Sequence, residues 1–78
     1  MAFLVIRRAW PRGPRDQKTR PIHTMMVESG RTRHEAKDKA ARLAAAYAYH
    51  RYDEGQSCWE AHSEEGPVFT FTVEGQPE

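Results

Sequence analysis

Thr32 opens the most constraining stretch of the chain, because it is followed three residues later by Glu35 and then by a run in which alanine dominates as far as residue 48. A threonine at that position accepts a hydrogen bond from an otherwise unpartnered backbone N–H, and the glutamate reaches back to the threonine's own N–H, which is the form of a capping box. Alanine is the strongest helix former and Gly55 offers a stop, so the spacing predicts a helix from about Arg33 to Tyr52. At about 100° per residue, Ala36, Ala40, Leu43 and Tyr47 fall within one stripe, flanked by Ala44 and His50. The small residues in that stripe allow the helix to lie close on whatever it covers.

What it covers should be a sheet. The segment MAFLVIRRAW is rich in large and β-branched residues until Pro11 interrupts it, and reads as a first strand. PRGPRDQKTR follows, with two prolines, a glycine and nothing apolar to bury, and is a long loop. Ile22 to Glu28 (IHTMMVE) gives a second strand that Ser29-Gly30 ends. After the helix, SCWEAHSE and VFTFTVE flank Glu65-Gly66-Pro67, which is turn chemistry between two short periodic runs. In the last run Phe69, Phe71 and Val73 point one way and Thr70, Thr72 and Glu74 the other, so the first group is the core face. On its neighbour Trp59 and Ala61 share one face, with Trp59 assigned to the core, and Cys58, Glu60 and His62 share the other. The expected fold is a single α+β domain over residues 1–78. It is a two-layer sandwich in ββαββ order, with an antiparallel four-stranded sheet and one helix on one face.

With 78 residues, 38% of them hydrophobic and 29% charged, the core must be thin. A chain of this length buries only about 60% of its unfolded surface, and self-association into a homodimer is a natural way to cover apolar area left over. The lone Cys58 has no internal partner, which points to a reducing compartment. The apolar start precedes Arg7 and Arg8, the reverse of the order in a signal peptide, and no run approaches the roughly 20 apolar residues of a membrane span. A cytoplasmic protein is expected, with no membrane partner.

His23, His34, His50 and His62 lie on separate elements, with no C-x-x-C and no H-x-x-x-H spacing, so no metal site is assigned. Gly13, Gly30 and Gly66 are isolated and form no phosphate loop, and the adjacent Glu64 and Glu65 are turn residues without the enclosure that raises a carboxyl pKa. No cofactor site or catalytic residue follows, and the chain reads as a non-enzymatic binding protein.

The net charge of +1 conceals a division along the chain. Residues 1–33 hold Arg7, Arg8, Arg12, Arg15, Lys18, Arg20, Arg31 and Arg33 against Asp16 and Glu28, whereas residues 53–78 hold seven acids and no Lys or Arg. Three partner-binding surfaces emerge. Arg7, Arg8, Arg12, Arg15, Lys18 and Arg20 surround Trp10, and cations beside an aromatic platform are how sequence-tolerant nucleic-acid grooves are built. Asp38, Arg42, Tyr49 and Tyr52 project from the helix opposite its core stripe, and tyrosine and arginine around small residues favour protein interfaces. Glu60, Glu64, Glu65 and Glu74 form an acidic hairpin suited to a basic groove.

In length and layout the chain resembles the very small open reading frames of phages and prophages, and type I anti-CRISPR proteins in particular. The likeness rests on the strand opening at Phe3 to Ile6, the helix start at Thr32, Glu35 and Ala36, and the closing VFTFTVEG strand. The resemblance implies a protein of the bacterial host cytoplasm that binds the multisubunit surveillance complex of a type I CRISPR system (Cascade) and blocks target DNA recognition. The acidic hairpin would then occupy a DNA-binding groove, or the arginine-rich loop and the tyrosines would grip an acidic subunit surface. The basic first half departs from the acidic composition of many such inhibitors. A nucleic-acid-binding accessory or regulatory module using the basic half is the competing expectation.

Overall fold

The computed structural model describes residues 2–75. Its elements are β1 (Phe3–Trp10), β2 (His23–Gly30), α1 (Arg33–Ala45), β3 (Tyr49–Asp53), β4 (Cys58–His62) and β5 (Val68–Gly75). The fold is α+β, with one helix against a wholly antiparallel sheet ordered β2-β1-β5-β4-β3. The first and last strands lie side by side, Val5 opposite Val73 and Arg7 opposite Phe71.

Two expectations are corrected. The sheet has five strands rather than four, giving ββαβββ, and the helix ends at Ala45 rather than near Tyr52. Both have one cause. From Tyr47 onward the chain carries aromatic residues at short intervals, and these pack better across a pleated sheet than along a helix. Paired with β4, Tyr49 stacks on His62 with ring centroids 4.9 Å apart, and Tyr52 meets Trp59 edge-on at 5.5 Å. Cross-strand aromatic pairs contribute roughly 0.2–1 kcal/mol each, which outweighs the modest helix preference of the alanines before them. The helix closes by tightening its last turn, as Ala46 N–H donates to Leu43 O and Tyr47 N–H to Ala44 O. Gly55 lies in the β3–β4 turn instead of capping the helix.

The helix begins where the capping signal placed it, with Thr32 Oγ1 accepting from Glu35 N–H at 3.1 Å. Only half of the box closes, because the Glu35 carboxylate turns outward toward Lys39, 3.7 Å away. Ala36, Ala40 and Ala44 are buried against Val5, Ala61 and Phe71, while Phe3, Val27, Leu43, Tyr47, Trp59, Phe69 and Val73 pack around them half-buried. The expected strand parity holds for Phe69, Phe71, Val73, Trp59 and Ala61, but His50 is an exposed strand residue rather than part of a helix stripe. Gly30 makes the close approach possible. A Cβ there would sit 2.8 Å from the Ala36 backbone nitrogen.

Candidate binding surface

Alternation along the strands sends Arg8, Trp10, Cys58, Glu60, Thr70, Thr72 and Glu74 to the face away from the helix. Arg15, Asp16 and Thr19 of the 11–22 loop fold back over the part of this face around Trp10, Cys58, Thr70 and Thr72. Asp16 organises that loop: its Oδ1 accepts from the backbone N–H groups of Lys18 (2.8 Å) and Thr19 (3.0 Å). The charges that sequence separates are thereby brought into contact. Arg15 reaches Glu60 at 3.1 Å and stacks over the Trp10 ring 5.0 Å from its centroid, and Arg51 approaches the same carboxylate at 3.8 Å. Trp10 Nε1–H donates to Thr70 Oγ1, and Arg8 donates to Thr72 Oγ1 and Glu74 Oε2. Arg12 clasps the carbonyls of Ser63 and Gly66 in the β4–β5 turn, and Arg20 that of Gln17.

Arg8 and Arg15 of the basic segment are therefore engaged by Glu74 and Glu60, and Arg12 by the β4–β5 turn. Trp10 has one ring face occupied by Arg15 and its N–H already bonded to Thr70. Arg7 lies on the opposite, helix-bearing side over the Phe69 ring. Lys18 is exposed on the loop, and Glu64 and Glu65 are exposed in the turn that Arg12 holds. Cys58 is buried under this network. Burial pushes its pKa above 9.0, the nearby carboxylates of Asp53 and Glu60 add to the rise, and Arg15 and Arg51 oppose it. At neutral pH it is a protonated, enclosed thiol. Among the described residues, no group of three His, Cys, Asp or Glu side chains is placed to hold a metal ion, and no helix is long and apolar enough to cross a membrane.

The helix surface is divided. Asp38 and Arg42 do project from the exposed side of α1, but Tyr49 and Tyr52 belong to β3, on opposite faces of the sheet. This corrects the expectation of a single helical patch. Tyr49 shares the loop-covered side with His62, and Tyr52 shares the helix side with Trp59. Asp38 and Tyr52 nevertheless meet again as walls of one cleft.

That cleft lies between α1 and the β3–β4 end of the sheet and has a volume of about 530 Å³. Its floor and far wall are Trp59, Phe71, Val73 and Tyr52, and its rim on the helix carries Arg33, His34, Lys37 and Asp38. It exists because the apolar residues that the helix presents to this side are the small Ala40 and Ala41, so no large apolar side chain covers Tyr52 and Trp59. Tyr52 remains 40% exposed as a result. Arg33 stacks over Phe3 at 5.1 Å, and His34 sits 3.5 Å from Asp38 one turn on. Sequence reasoning named Asp38 and Tyr52 but missed Arg33, Lys37 and Trp59 as parts of one site. The small Ala40-Ala41 pair was the available signal. No protein-family model matches the chain, and no curated protein or solved structure matches it.

Proposed function

We propose that the protein is a non-catalytic binding module that seats a side chain of a protein partner in the cleft between α1 and β3–β4. The observation that carries this reading is the pair Tyr52 and Trp59, left without a roof beside Arg33 and Lys37. Half-covered aromatics next to cations are the groups around which protein interfaces concentrate their affinity. The partner to which the chain's length and layout point is a type I CRISPR surveillance complex, with target DNA recognition blocked in consequence. A free nucleic acid is the weaker alternative, because Arg8, Arg12, Arg15 and Trp10 are engaged within the molecule.

Co-elution of the chain with purified type I surveillance complexes in size-exclusion chromatography tests the partner. Absence of a complex with every subtype removes it. Ala41→Trp tests the cleft, since Ala41 lines it and is not one of the buried alanines. The variant should lose binding while remaining folded, and unchanged binding places the contact elsewhere. Binding to free DNA or RNA that collapses with added salt would instead support the nucleic-acid reading.

A further inference from the structure

The sheet has two edges, and they are not equivalent. On β2 the register against β1 is broken by an irregularity at Val5/Ile6, and Lys39 Nζ donates to the Ser29 carbonyl at 2.7 Å. Bulges and lysines are the means by which edge strands are kept from pairing. The other edge, β3, is in unbroken register with β4 from Tyr49 to Asp53, and its outer side has no neighbouring strand among the described residues. Its residues are exposed apart from the half-buried Asp53.

The order of residues on this edge is self-complementary. Two copies of β3 laid antiparallel about a two-fold axis through Tyr52 bring Arg51 opposite Asp53 twice, with Tyr52 opposite itself. Face parity is respected, since Arg51 and Asp53 share one side of the sheet and His50 and Tyr52 the other. Opposite charges facing each other across a strand pair are stabilising and like charges are not. An axis through Arg51 would set arginine against arginine, and one through Asp53 aspartate against aspartate. Arg51 has the freedom to swing outward, as its side chain is 66% exposed and its contact with Glu60 is long at 3.8 Å.

We infer that β3 is a homodimerisation edge, and that the second copy pairs antiparallel in the Tyr52-centred register to make one continuous ten-stranded sheet. Because the axis is perpendicular to the sheet, both helices lie on one face and the two clefts flank the axis side by side. In this register β3 overlaps its copy over residues 51–53, so the interface is small and the monomer and the dimer exchange at ordinary concentrations.

Cysteine cross-linking in the full chain, with Cys58→Ala to remove the native thiol, tests both the contact and its register. Tyr52→Cys should form a disulfide-linked dimer rapidly under mild oxidation, because a residue on the axis faces its own copy at strand-pair distance. His50→Cys should not, since its copy lies about 14 Å away, roughly four residues along the strand and beyond the reach of a disulfide. Equal cross-linking at both positions, or at neither, overturns the proposal. Sedimentation equilibrium gives an independent measure. Arg51→Asp should weaken the dimer roughly tenfold, and adding Asp53→Arg should restore it, because the pairs are then reversed rather than lost. A double variant no tighter than the single one also overturns the register. Neither measurement involves a partner protein, so failure here leaves the cleft reading standing, and failure of the cleft reading leaves the dimer standing.

Discussion

Gly30→Ala isolates the contact that sets the helix on the sheet. The added methyl would lie 2.8 Å from the Ala36 nitrogen, 3.2 Å from Glu35 Cβ and 3.3 Å from Ala36 Cα. All three belong to the first turn of α1, so no side-chain rotation relieves the clash and the helix must lift. Overpacking of this kind costs about 1–3 kcal/mol, while replacing glycine narrows the unfolded ensemble and returns about 0.4–1 kcal/mol. The net loss should be about 1–2 kcal/mol, which in a domain of this size lowers Tm by on the order of 10 °C. Urea unfolding followed by tryptophan fluorescence should show a lower midpoint at unchanged slope. Gly75→Ala is the control, because its Cβ would meet Phe3 at 3.6 Å, an ordinary contact. If Gly30→Ala is no less stable than Gly75→Ala, the helix is not seated by this approach and the origin assigned to the cleft fails with it.

Thr32→Ala, which removes the acceptor for Glu35 N–H, should lower stability by about 1 kcal/mol in the same urea assay. The ion pair between Arg15 and Glu60, only 24% and 20% exposed, should show a coupling of about 1–2 kcal/mol in a double-mutant cycle with alanine at each position. Cys58 carries a pH dependence: because its folded pKa is raised, the folded state holds the proton longer than the unfolded chain, so stability is full below 9.0 and falls as pH rises through the folded value. Cys58→Ala should flatten that decline in unfolding curves taken from pH 8 to 11, and an unaltered decline would assign it to other groups.

The parts of the fold that were legible are those in which local chemistry and tertiary packing agree. Thr32 and Glu35 marked the start of the helix, the stripe of Ala36, Ala40, Leu43 and Tyr47 with Ala44 at its flank marked its buried side, and Phe69, Phe71 and Val73 marked the core face of the last strand. Residues 46–53 were misread because Ala46 and Ala48 score as helix while Tyr47, Tyr49 and Tyr52 favour a sheet, and the decision lies with partners on β4 that are distant in sequence. The same error displaced the expected tyrosine surface. Charge separation along the chain was read correctly but not its consequence, since only the β1–β5 pairing brings Arg8 to Glu74 and only the folded-back loop brings Arg15 to Glu60.

That consequence also explains where binding capacity is left. A thin domain with a two-sided sheet must protect both faces, and here the two faces are protected by different means. Arginine–carboxylate contacts and a tryptophan under Arg15 close the loop-covered face, using polar groups already satisfied within the chain. On the helix face, closure depends on apolar volume, and a helix built on alanine supplies it over Val5 and Phe71 but not over Tyr52 and Trp59. A larger residue at the buried Ala40 would force the helix outward from Gly30, so close seating toward the β2 edge and an open cleft toward the β3 edge follow from the same small side chains. The unfilled volume and the unpaired β3 edge meet at Tyr52. Substitutions there should therefore alter partner binding and self-association together, whereas Ala41→Trp should alter the first alone.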